Sequence, residues 1–171
     1  MAVSEAELFA RLRALGIASQ TQEHAAVFTV EEARAHRGEL PGGHCKSLFF
    51  KDKRGQLWLA VCLEERAIDL RRLERAIGAA RLSFARPELL LEVLGVTPGS
   101  VTPFALINDS DRQVKVVLDA GMLECNPLNF HPLRNTATTQ ISPKDLQKFI
   151  AACGHEPQMV DFADLARPDG A

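Results

Sequence analysis

The sequence lacks the signatures of the commonest hydrolase and nucleotide-binding classes. It contains no GxSxG, no phosphate-binding P-loop, no GxGxxG and no HExxH. Its four cysteines, Cys45, Cys62, Cys125 and Cys153, include no CxxC pair and no Cys and His spacing of a zinc site, so they read as reduced thiols of a cytoplasmic protein. No apolar run reaches the roughly 18 residues that would suggest a membrane span. The opening residues MAVSEAELFARLRALG carry Glu5 and Glu7 among apolar positions, a pattern expected of neither a secretory signal nor an acid-poor transit peptide. A formal net charge of -2 gives no global basic field, so sequence-specific DNA binding is not expected and any nucleic-acid contact must be a local patch. Internal repeats, low-complexity segments and long like-charge runs are also absent.

What is present is enough apolar material for one sizeable core: 171 residues, 46% hydrophobic and 25% charged. We read a single domain over 1–171, with its core at about 20–154 and a tail after 165. Ser4 and Glu7 form a capping box before Leu8, Leu12 and Leu15, which share one helix face. Thr29 and Glu32 repeat the signature and open a second helix through Ala35. CKSLFFKD and QLWLAVCL, separated by Lys53-Arg54-Gly55, read as a hairpin. Asp69 caps LRRLERAI, with Leu70, Leu73, Ala76 and Ile77 as its apolar stripe and Gly78 as its stop. Pro87 starts ELLLEVL, which ends at Gly95. After the loop VTPGSVTP, PFALIN and QVKVVLD read as two strands joined by Asp109-Ser110-Asp111. A further strand pair is expected around Met122–Asn126 and Thr136–Ile141. Ser142, Pro143 and Gly154 delimit a last helix. Strand runs interrupted by helices, without βαβ alternation, predict an α+β fold around a curved, mostly antiparallel, barrel-like sheet surrounded by helices.

Four segments, HCKSLFF, GSVTPFALIND, VVLD and NFHPLRNTATTQIS, occur in an order that resembles the YbaK and prolyl-tRNA synthetase-associated editing domains. The resemblance covers roughly Gln20 to Gly154. NFHPLRNTATTQISPKDLQKFIAACGHEP is most similar to the freestanding alanine-editing branch called ProXp-ala. The resemblance implies hydrolysis of the ester joining a wrong amino acid to the tRNA 3' end, with no metal, cofactor or covalent intermediate. Its partners would be the acceptor end of mischarged tRNA(Pro) and, transiently, prolyl-tRNA synthetase.

Lys46 matches a lysine that such families require. Its ammonium can hold the terminal phosphate or polarise the ester carbonyl as charge develops; the plain alternative is an exposed strand lysine. Gly99, Ser100, Val101, Thr102 and Pro103 match the family's GxxxP loop, whose backbone would approach the aminoacyl end, where a missing Cβ helps. His131 matches a histidine near the site that can position substrate or water, or else is a structural histidine beside a proline. Asp119 can orient His131, bind the substrate's ammonium, or simply close a strand. Asn129 and Thr138 are candidate donors to the ribose or the amino acid. A Cys45 and His44 nucleophile pair is set aside, because adjacent strand residues point to opposite faces.

Alanine is smaller than proline, and a synthetase pocket built for proline cannot exclude it by size, so a second sieve is needed. Val27, Val30 and Phe49 are expected to help line an apolar pocket that admits alanine but not proline. Lys51, Arg71, Arg72, Arg75 and Arg81 offer local positive charge for tRNA phosphates; the alternative is a solvated face shared with Glu64, Glu65 and Glu74. Three other functions stay open: deacylation of cysteinyl tRNA(Pro), the activity of a related branch; a non-catalytic tRNA-binding or nucleic-acid-binding module; and a small-molecule binding domain.

Overall fold

The computed structural model describes residues 2–25 and 41–166. The helix expected to start at Thr29 and the tail beyond Ala166 lie outside the described residues.

The first helix, α1 (Glu5–Ala14), starts at the expected capping box: Ser4 Oγ accepts from the Glu7 N–H, and the Glu7 carboxylate accepts from the Ser4 N–H. The expected hairpin is β2 (Gly43–Asp52) and β3 (Leu57–Leu63). Its turn is closed by the buried Asp52 carboxylate, which accepts from the N–H groups of Arg54, Gln56 and Ala80 and from Trp58 Nε1. Helix α2 (Leu70–Ile77) is capped by Asp69 and ends at a left-handed Gly78. Helix α3 (Pro87–Leu94) starts at Pro87 and ends at a left-handed Gly95. Ser142 caps α4 (Pro143–Ala152), with Pro143 in its first turn.

Two expected strands take other forms. PFALIN is a 3-10 helix over Pro103–Asn108, because the Thr102 side chain caps it through the Phe104 N–H and Pro103 supplies a preset φ at its start. An apolar run without strict alternation does not by itself distinguish the two. The segment from Met122 is likewise a 3-10 turn, Met122–Glu124, and the strand follows it as β6 (Leu128–Phe130). Pro127, which has no N–H to give a ladder, stands between them. Strands β5 (Val114–Asp119) and β7 (Ala137–Ile141) fall at expected places, and β4 (Leu82–Phe84) adds a short strand between α2 and α3. The edge strands β1 (Gln20–Glu23) and β8 (Gln158–Val160) had no apolar alternation to announce them.

The eight strands form one sheet in the order β1-β7-β6-β2-β3-β5-β8, with β4 also paired to β2. Antiparallel pairings predominate, but β2–β6, β3–β5 and β5–β8 are parallel, since helices and long turns connect them. The sheet is open rather than closed into a barrel: β1 and β8 end the ladder. One face packs Phe49, Leu59, Val61, Val116 and Leu118 against α1, α3 and α4. The other packs Phe50, Trp58, Ala60, Cys62 and Val117 under α2 and Phe162. Helix α2 covers only part of that second face, and the uncovered part is polar.

Candidate functional site

The polar part can be read from the ladder, because side chains alternate faces along a strand and registered neighbours share one. Lys46 pairs with Cys62, and the Val61 to Leu118 register puts Asp119 beside Cys62. His44 pairs with Asn129, Asn129 with Gln140, and Thr138 with Gln22. Lys46 stands two residues past His44, and His131 two past Asn129, on neighbouring parallel paths. One sheet face therefore carries Lys46, His131, Asn129 and Thr138 together.

Lys46 is half-buried, and its Nζ donates to the Arg66 carbonyl at 2.5 Å. That bond uses one of three N–H groups and aims the other two. The Arg66 guanidinium is held in turn by Asp119, with Nε to Oδ2 at 3.0 Å and Nη2 to Oδ1 at 3.4 Å. Asp119 is fully buried and also accepts from the N–H groups of Leu63 and Gly121. Donating these hydrogen bonds to the carboxylate raises the Arg66 pKa above its ordinary value. Two cations and one carboxylate leave a net positive corner, suited to a phosphate or a developing oxyanion. Burial pushes the Cys62 thiol up to about 12 despite the nearby Lys46 charge, and burial likewise raises the Cys45 thiol, which disfavours the thiolate at both.

His131 is half-buried, and its Nδ1 lies 3.1 Å from the Ala137 carbonyl oxygen. A carbonyl only accepts, so Nδ1 carries the proton and the neutral ring keeps its lone pair at Nε2. Burial lowers its pKa, the Ala137 hydrogen bond opposes this, and the nearby His24 lowers it further. The two rings lie 6.4 Å apart. His24 Nε2 is 2.7 Å from Thr138 Oγ1, and His24 Nδ1 is 2.7 Å from the Ala25 carbonyl oxygen. Asn129 is 4% exposed and donates through Nδ2 to the carbonyls of Pro41 and Gly43. Those two bonds are possible because Pro41-Gly42 packs directly on Pro127: Gly42 has φ 97°, and a Cβ there would overlap the Pro127 carbonyl.

Other expected residues fall elsewhere. Phe49 is a core residue on the face opposite Lys46, so these two do not share a pocket, by the same alternation that separates His44 from Cys45. Asp119 does not orient His131, since its oxygens are taken by Arg66 and backbone N–H groups. Gly99 adopts φ 92°, but Val101 and Phe104 pack into the core beneath the opposite face, Ser100, Thr102 and Pro103 are buried, and the Thr102 hydroxyl is engaged as a cap. Phe104 meets Phe130 edge-on at 6.0 Å, which brings the end of this loop to within one residue of His131 along the chain. Val27 and Val30 lie outside the described residues. The basic set divides: Arg71 is exposed at the start of α2, close in sequence to Arg66, and Arg72 is half-buried with Nη1 on the Ala166 carbonyl. Lys51 and Arg81 are exposed near the hairpin turn, where Lys53 N–H meets the Arg81 carbonyl. Sequence reasoning missed Arg66 and His24: Glu64-Glu65-Arg66 reads as a charged turn, and His24 ends a strand with no apolar pattern.

Among the described residues, one polar face of an open sheet thus carries a lysine and a histidine. The chain belongs to the aminoacyl-tRNA editing domain family, which matches residues 24–149. Prolyl-tRNA synthetase associated domain-containing protein 1 of Mus musculus is 43% identical over 169 residues, covering 95% of this chain and 99% of its own length. The prolyl-tRNA editing protein ProX of Acetoanaerobium sticklandii is 36% identical over 156 residues, covering 91% of this chain and 95% of its own. In fold, the chain resembles a solved candidate trans-editing enzyme for prolyl tRNA synthetase, with a TM-score of 0.71 at 23% identity over 94% of this chain and 98% of that one. Among the described residues, no helix is long and apolar enough to cross a membrane.

Proposed function

We propose that this chain is a trans-acting deacylase that hydrolyses alanyl tRNA(Pro), acting in the cytoplasm beside prolyl-tRNA synthetase. The observation that carries the reading is Lys46, fixed by the Arg66 carbonyl with two N–H groups uncommitted, on the same sheet face as His131. Relatives named for prolyl-tRNA editing supply the tRNA, and the NFHPL to GHEP segment supplies the preference for alanine.

Water attacks the ester carbonyl, a C–O bond forms, and the negative charge that gathers on the carbonyl oxygen is met by the Lys46 ammonium. Collapse of the adduct breaks the bond to the ribose oxygen, which takes up a proton, leaving alanine and free tRNA. The neighbouring ribose hydroxyl of the substrate assists the attacking water, as the family resemblance implies. Arg71, exposed at the start of α2 a few residues past Arg66, and Arg72 beside it are the cations assigned to the acceptor stem in this reading.

A deacylation panel of alanyl, cysteinyl, seryl and prolyl tRNA(Pro) tests it. Alanyl tRNA(Pro) should be cleared and prolyl tRNA(Pro) should survive. Equal turnover of the two sinks the sieve, and preference for the cysteinyl ester reassigns the branch.

A further inference from the structure

The hydrogen-bond directions around His24, Thr138, His131 and Asn129 determine what kind of group this wall can receive. His24 Nδ1 faces a carbonyl oxygen, so it is a donor there; in the neutral ring Nε2 must then accept, and its partner at 2.7 Å is the Thr138 hydroxyl. The Thr138 proton is thereby committed to His24, and its oxygen offers lone pairs. His131 has its proton tied to the Ala137 carbonyl and offers Nε2 as a lone pair. Asn129 has both hydrogens of its amide tied to carbonyls, and its Oδ1 is buried with no hydrogen-bond partner. Burying an acceptor without a partner costs about 1–3 kcal/mol, a cost that a ligand supplying the donor would relieve.

We propose that Asn129, His131 and Thr138, with the Thr138 hydroxyl oriented by His24, form a subsite of three acceptors for the free α-ammonium group of the aminoacyl ester. The match is chemical. An ammonium brings three N–H donors and no acceptor, and these three side chains each offer an acceptor. Lys46, on the same face, supplies the opposite polarity for the ester carbonyl or the terminal phosphate. Asp119, the other candidate for the ammonium, is already paired with Arg66. His24 touches no substrate in this arrangement and is a positioning residue. The inference rests on the deacylase reading above and specifies which end of the amino acid that site recognises.

The test compares alanyl tRNA(Pro) with its lactyl counterpart, in which a hydroxyl of nearly equal size replaces the ammonium, each rate being divided by its hydrolysis in buffer. Losing a charge-assisted set of hydrogen bonds should lower the enzymatic acceleration by about 10- to 100-fold. Thr138→Val and His24→Phe should shrink that alanyl to lactyl ratio, while Thr138→Ser and His24→Gln, which keep an acceptor chain, should restore much of it. A purely structural role for His24 would lower both rates and leave the ratio unchanged. Equal acceleration of the two esters by the wild-type protein overturns the subsite but leaves the deacylase reading standing. Binding of amide-linked alanyl-adenosine and lactyl-adenosine analogues separates the two further: tighter binding of the alanyl analogue supports the subsite even without turnover, and equal binding overturns it.

Discussion

At the scale of single residues, Lys46 separates folding from chemistry. Its ammonium sits at the edge of the core, so Lys46→Ala should leave the melting temperature unchanged while slowing alanyl tRNA(Pro) deacylation by about 10² to 10³, the usual loss on removing one preorganised stabiliser of developing charge. Lys46→Arg keeps the charge but replaces a point donor with a planar fork that cannot make the same bond to the Arg66 carbonyl. It should recover only part of the rate in a single-turnover assay. Near-normal turnover of the alanine variant would make Lys46 a surface residue and place the stabilisation of the developing charge on another group. The residue scale also shows why reading one position at a time has limits. Asp119 was a candidate for three jobs, and only the structure shows that it is buried with its oxygens accepting from Arg66 and from the Leu63 and Gly121 N–H groups.

Among the elements, the β2–β3 hairpin sets where Lys46 points, and Asp52 locks its turn. Burial alone would raise the Asp52 pKa, but hydrogen bonds from Trp58, Gln56, Ala80 and Arg54 outweigh it and hold the carboxyl below its ordinary value. A depressed folded pKa means that the stabilisation is fully present above the unfolded value of about 3.9 and is lost as the pH falls through the folded one. Asp52→Asn should cost about 1–3 kcal/mol near neutral pH, because an amide cannot accept at both positions. Urea denaturation at several pH values should then show the gap between variant and wild type narrowing at acid pH. A gap that stays constant down to acid pH would show that the carboxylate charge is not what closes the turn. Element scale is also where capping signals were most legible: Ser4, Asp69, Pro87 and Ser142 each began a helix in place, because a cap is local chemistry. PFALIN misled because its hydrophobicity speaks of burial, and both a strand and a 3-10 helix can be buried.

Across the whole molecule, the sheet spaces the basic residues. Lys46 and Lys51 are five residues apart on β2, or about 17 Å, so a tRNA end at Lys46 meets the start of α2 before it meets the hairpin turn. Arg71→Glu should therefore weaken tRNA(Pro) binding and reduce its salt slope by about one, whereas Arg81→Glu should do less. Binding titrations over a series of salt concentrations read both effects. Equal losses, or a larger one at Arg81, would place the acceptor stem across the other end of the sheet.

How much was legible follows from the range of the forces involved. Helix caps, the β2–β3 turn and the order of the motif segments depend on neighbours a few residues away, and these were readable along the chain, as was the family they point to. The pairing of β2 with β6, the opening of the sheet and the placement of β1 and β8 depend on contacts between distant segments. Thr21 and Thr139, for instance, join hydroxyls at 2.8 Å across 118 positions. The sequence named Lys46, His131, Asn129 and Thr138 one by one; only the sheet register put them on a common face, sent Phe49 to the other side, and brought in His24 and Arg66. Side-chain direction alternates with every residue, so a site built across four strands exists only once the register between them is set.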